Sequence, residues 1–113
     1  DRESLYANFS KEEMIANLQA FRAAFTGLEA EGFDDLLINI GAEQLSTDML
    51  RLTDETIALL EAWPGTLEEQ LRDDPQSVVD AYTKANELGT LLKTQFVSTL
   101  DLEIPQRAEG DND

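Results

Sequence analysis

Apolar residues return every three or four positions along three long stretches of this chain, and a Gly or Pro follows each stretch. That interval matches the 3.6-residue helical turn and excludes the sustained alternation a half-buried strand requires. The first stretch opens at Ser10-Lys11-Glu12-Glu13, where the Ser10 hydroxyl and the Glu13 carboxylate can form a reciprocal capping box. Met14, Leu18, Phe21, Phe25 and Leu28 then share one stripe, while Glu12, Asn17, Gln19 and Arg22 fall on or near the wet side. The spacing predicts a helix over 11–27, ended at Gly27 or Gly32 because both can take the left-handed conformation of a helix C-terminus.

The segment Gly32 to Gly41 is short and bracketed by glycines, with Phe33, Leu36, Leu37 and Ile40 at helical spacing, and reads as a short helix. Its Leu36, Ile38 and Ile40 also alternate. A longer helix is expected over 43–62, carrying Leu45, Met49, Leu52, Leu59 and Trp63 on one stripe with Leu50, Ile57 and Leu60 beside it. So wide an apolar face implies burial on two sides, and a further helix from outside the chain is expected to cover part of it. Pro64-Gly65 stops this helix. Thr66, with Glu69 three residues on, caps a short acidic helix to about Arg72. Asp74-Pro75 restarts the chain as N-cap and first helical residue. The last helix, over 75–100, carries Val78, Tyr82, Ala85, Leu88, Leu92, Phe96 and Leu100. Pro105 ends the domain, and 106–113, Q-R-A-E-G-D-N-D, reads as a flexible acidic tail. The fold class is therefore all-α, a helical bundle over 1–105.

Composition narrows the chemistry. With 113 residues the chain fits one domain, and 24 Asp and Glu against 8 Lys and Arg leave a charge of −16. That sign repels phosphate backbones and argues against nucleic-acid binding. The chain holds no Cys and no His, which removes thiol and imidazole catalysis, Cys/His zinc sites and disulfides together. No apolar run reaches the length of a membrane span. The start at Asp1, without an initiator Met, reads as a processed piece of a longer precursor.

The paired carboxylates Glu12-Glu13, Asp34-Asp35, Glu68-Glu69 and Asp73-Asp74 read as solvated or helix-capping groups in so acidic a chain. A calcium site needs converging oxygens, and Gly110-Asp111-Asn112-Asp113 lacks the spacing and downstream Glu of an EF-hand. Without His, a nucleophilic Ser would need a Lys base, yet only Lys11, Lys84 and Lys93 exist and no Ser-x-x-Lys string occurs. Trp63, Tyr82 and the Phe residues on the stripes read as core, and Phe9 as a hydrophobic staple for the first helix.

Two strings carry a family resemblance. Glu3-Ser4-Leu5-Tyr6-Ala7-Asn8-Phe9-Ser10, leading into a helix that ends Phe25-Thr26-Gly27, resembles the opening of the C-terminal half of imelysin-like proteins, where E-S-x-[YF]-S-x-x-[ST] precedes such a helix. Leu91-Leu92-Lys93-Thr94-Gln95-Phe96 followed by Leu100-Asp101-Leu102-Glu103-Ile104-Pro105 is similar to that family's last helix and its L-G-[LV]-x-[LI] exit, and Gly110-Asp111-Asn112-Asp113 to its Asn/Asp/Gly-rich terminus. Ala7 stands where the family has Ser, Asp101 where it has Gly, and Gln106-Arg107-Ala108 replaces an F-N-D-N-D exit. The resemblance implies the second bundle of a two-bundle fold in a bacterial envelope protein, periplasmic or at the outer membrane and linked to iron uptake. It also implies a divalent metal or iron held mainly by an N-terminal half through G-x-H-x-x-E, so that half, as a separate chain or cleaved piece, is the expected partner, alongside iron-uptake partners of the envelope. Glu3, Ser4 and Tyr6 are the residues of this chain that match the family string, and they are the expected contributors to a shared pocket, with Ser4 and Tyr6 bonding to backbone as the alternative. The alternatives to a metal-linked binding protein are an imelysin-type metallopeptidase and a structural acidic helical adaptor.

Overall fold

The computed structural model describes residues 9–27 and 32–101, of which 85% are helical and none is in a strand. Helix α1 runs Lys11–Thr26, α2 Phe33–Asn39, α3 Glu43–Glu61, α4 Leu67–Asp73 and α5 Pro75–Leu91. A π-helical turn, Leu92–Phe96, prolongs α5, and helix resumes to Asp101. None of these helices is long and apolar enough to cross a membrane. Leu28, expected on the first stripe, and the expected tail 106–113 lie outside the described residues.

Local chemistry accounts for the breaks. Gly27 closes α1 in the left-handed region, φ 88°, and its N–H reaches the carbonyls of Ala23 and Ala24. Gly32 does not end that helix as a cap. It lies against the helix end instead, where a Cβ would fall 2.5 Å from Gly27 N and Thr26 C. Gly41, φ 85°, turns the chain from α2 into α3. Thr66 and Glu69 form the expected capping box on α4. Asp74 holds the N-cap position of α5 but its side chain caps nothing, contrary to expectation. Ser77 supplies polar pairing there, both its N–H and its Oγ donating to the Asp74 carbonyl.

Helix α3 is the axis. Lys11 of α1 meets Trp63 just past the end of α3 and Arg22 meets Asp54, while Lys84 of α5 meets Glu55 and Phe96 beyond α5 meets Phe25 at the end of α1, so α1 and α5 both run antiparallel to α3. Its buried residues are Leu45, Met49, Leu52 and Leu60, with Leu50, Ile57 and Leu59 half-buried around them. α1, α2, α5 and the π-helical turn all pack on α3. None of the large hydrophobic residues that stay exposed, Phe9, Phe33, Ile38, Leu71, Val79 and Val97, belongs to it. The short α2 and the π-helical turn fill flanks of the wide apolar face that three long helices alone would leave open, while Leu50, Ile57 and Leu59 keep part of that face exposed.

Ser46, Thr53 and Thr56 are buried on α3 among the apolar side chains. Each Thr hydroxyl donates to the carbonyl one turn back, Thr53 to Met49 and Thr56 to Leu52, both at 2.7 Å. A β-branched side chain satisfied in this way presents only methyl to its neighbours and enters a core at little cost.

Candidate functional site at the start of α1

Glu3, Ser4 and Tyr6 lie outside the described residues. The point at which their string joins the bundle is described, and it is held by polar contacts on two elements. Ser10 Oγ accepts from Glu13 N at 3.1 Å while Glu13 Oε1 accepts from Ser10 N at 2.9 Å. Lys11 Nζ then donates to the Trp63 carbonyl at 3.0 Å, fastening the first residue of α1 to the chain just beyond α3. Fifty-two residues separate this pair, so no local pattern announces it.

Trp63 is 4% exposed, and its indole N–H is the buried side-chain polar atom without a hydrogen-bond partner among the described residues. A buried donor left without an acceptor costs about 1–3 kcal/mol, which the packing of so large a ring offsets. Beyond Trp63 the second capping box repeats the first: Thr66 Oγ1 accepts from Glu69 N at 3.1 Å, and Glu69 Oε1 from Thr66 N at 2.8 Å. A cleft of about 660 Å³ opens between the starts of α1 and α4, lined by Phe9, Ser10, Lys11, Glu12, Glu13, Thr66, Leu67, Glu68 and Leu71. Phe9, expected as a staple, is 38% exposed at this cleft.

A second depression, about 580 Å³, lies between α3 and α5 and includes Asp48, Arg51, Lys84 and Glu87 in its lining. Glu55 stands beside it as an acceptor for Lys84 Nζ at 2.9 Å and Arg51 Nη1 at 3.2 Å. The hydrogen bond from Lys84, followed by the fields of both cations, holds the Glu55 carboxyl below its ordinary value. Such a carboxylate is a weak base and its cations are engaged, so this constellation ties α3 to α5 and is not arranged for proton transfer.

The carboxylate pairs behave as expected of helix-start groups at Glu12-Glu13, Asp34-Asp35 and Glu68-Glu69, each in a first turn. Asp73 takes the Arg72 guanidinium at 3.0 Å. No group of three or more Asp and Glu among the described residues is placed to hold a metal ion. Ser77 Oγ receives Gln70 Nε2 at 2.7 Å, a part-buried contact joining α4 to α5 that the heptad-like pattern does not reveal. No hydrogen bond joins a Ser to a Lys among the described residues: Lys11 is on a carbonyl and Lys84 on Glu55. Of the aromatic residues expected in the core, Trp63, Phe25 and Phe96 are buried, whereas Phe33 is 43% exposed and covers Phe96 edge-on.

No family model matches the chain, and no curated protein or solved structure matches it either.

Proposed function

We propose that this chain is the C-terminal bundle of an imelysin-like bacterial envelope protein that serves iron uptake as a metal-linked binding protein. The observation that carries the reading is the coincidence of string and anchor. The residues that resemble the family's E-S-x-[YF] string run directly into the Ser10 capping box and the Lys11 to Trp63 lock, so whatever that string contributes is delivered from a fixed point. The described part of the other matching string, up to Asp101, continues α5, and its π-helical turn packs on α3.

In this reading the iron or divalent metal is held chiefly by the G-x-H-x-x-E of an N-terminal half, and Glu3 adds negative charge to the shared pocket while Ser4 and Tyr6 position it. Binding is favoured over peptide hydrolysis because Lys11 is bound to the Trp63 carbonyl and Lys84 to Glu55, so neither stands beside a Ser as the base that a nucleophile in this bundle would need. The protein acts in the periplasm or at the outer membrane, and its −16 charge draws cations toward it.

Iron titration of the precursor that contains both halves tests this. Glu3→Gln keeps the side-chain shape and removes its charge, and it lowers iron affinity by roughly tenfold, the usual scale for a group that supports metal ligands. Unchanged affinity, with Glu3→Ala lowering only the melting temperature, would reject the site. A precursor that binds no iron and lacks G-x-H-x-x-E would leave the acidic adaptor as the function, and proteolysis of a test protein by the metal-loaded precursor would establish the peptidase.

A further inference from the structure

The cleft between the starts of α1 and α4 combines two properties. It is apolar where Phe9 and Leu71 meet it, at 38% and 53% exposure. It is acidic at its rim, where Glu12 and Glu68 are exposed and make no ion pair or hydrogen bond with any described residue. Glu13 is held in the Ser10 box and Lys11, the cation of the cleft, is turned to the Trp63 carbonyl. Capping and dipole effects explain why acids stand at these helix starts. They do not explain a large aliphatic side chain such as Leu71 left in the open between them.

We propose that this cleft docks a basic amphipathic segment of a partner protein, its apolar residues on Leu71 and Phe9 and its Lys or Arg residues on Glu68 and Glu12. Charge complementarity selects this occupant. A second copy of the chain fits poorly, because like charges of −16 repel and the chain has few cations to offer. Of its described basic residues, Lys11, Arg22, Arg51, Arg72 and Lys84 are already bound to oxygens of their own fold, which leaves Lys93. A nucleic acid or an anionic lipid surface is repelled by the same rim. A segment with one apolar and one cationic face satisfies both properties at once, and recognition of this kind commonly reads an amphipathic helix by its spaced apolar anchors.

The probe is a synthetic 16-residue peptide of Lys and Leu with helical amphipathic spacing, titrated into the full chain beside a scrambled isomer of identical composition. Trp63 is the only Trp of the chain and its carbonyl accepts from Lys11 of the cleft, so its emission is the first report of binding. The amphipathic peptide is expected to bind at least about tenfold more tightly than the scrambled one, since only it can seat several Leu residues together. Leu71→Ser, an exposed change that leaves the core untouched, weakens it about fivefold, and Glu12→Gln with Glu68→Gln reduces both affinity and its dependence on salt. Amide shift changes are expected over 10–13 and 66–71. Equal affinity for the two isomers, indifference to Leu71→Ser, or shift changes centred on α2 and 93–101 would overturn the proposal. It would also be overturned by concentration-dependent dimers, or by proximity of Leu5 or Tyr6 to Leu71 in the free chain, which would make the chain its own occupant.

Discussion

The two ends of the bundle are built on different physics. At the end where α1 starts, position is fixed by polar contacts of defined direction: two capping boxes, the Lys11 amine on the Trp63 carbonyl, and Gln70 on Ser77. At the end where α1 finishes, it is fixed by rings. Phe21 stacks on Phe25 at 5.6 Å, Phe25 meets Phe96 at 5.9 Å, and Phe33 closes on Phe96 at 5.4 Å. The helices that begin here, α2 and α3, have no side-chain cap at all. Directional bonds of modest energy specify one end, whereas non-directional burial of larger energy specifies the other. The proposed sites follow this division, since a string or a partner delivered to the polar end meets groups whose positions are set one by one.

The division can be broken most strongly at the aromatic end. Phe96→Ala empties the centre of the ring cluster and is expected to cost about 3 kcal/mol, lowering the melting temperature by roughly 12 °C or more in a domain of this size. Thermal denaturation followed by circular dichroism measures it. Gly32→Ala comes next. A Cβ there meets backbone at 2.5 Å that cannot step aside, so the α1–α2 junction must open, at a cost above the ~1 kcal/mol expected for Gly41→Ala, where the space is free and only the positive φ resists. Chemical denaturation of the two variants side by side separates steric from conformational strain.

The polar end should answer with smaller, more uniform losses. Ser10→Ala and Thr66→Ala are each expected to cost about 1 kcal/mol in urea unfolding, since each removes one cap of the same kind. The smallest effect belongs to the ladder between the ends. The folded Glu55 carboxyl titrates below its ordinary value, chiefly through Lys84, so the stability it adds is present above the ordinary carboxylate range and disappears as pH falls through the lowered folded value. Glu55→Gln should therefore differ slightly from wild type near pH 6 and converge on it as pH falls through the lowered carboxyl value, and the pair is exposed enough that added salt should erase most of the difference.

The same contrast explains what could be read from the residues. Helix starts at Lys11, Leu67 and Pro75 were legible because Ser10, Thr66 and Asp74-Pro75 sit within a turn of the structure they specify. The π-helical turn at Leu92–Phe96 was not. It rotates the chain so that Phe96 reaches Phe25 and Phe33, partners 71 and 63 positions earlier, and no local rule carries that information. Thr53 and Thr56 were overlooked as core because their hydroxyls count as polar in any pattern, although each is satisfied on its own helix. The covering of α3 has a related cause: stripe width was legible, but the reach of a seven-residue α2 and a π-helical turn over that stripe depends on how the chain folds back. Of the candidate site, the capping box was visible in the sequence, while the Lys11 to Trp63 lock and the cleft beneath Leu71 exist only once α1, α3 and α4 meet.

The account rests on α3 being covered by the chain's own helices, and thermal unfolding of the isolated 113-residue chain at several concentrations tests that most directly. It predicts a 12.6 kDa monomer in which the near-ultraviolet signal of Trp63 and the far-ultraviolet helix signal vanish in one transition whose midpoint is independent of concentration. Loss of the Trp63 signal well before the helix signal, or a midpoint that rises with concentration, would contradict it and mean that α3 needs a partner the chain does not contain.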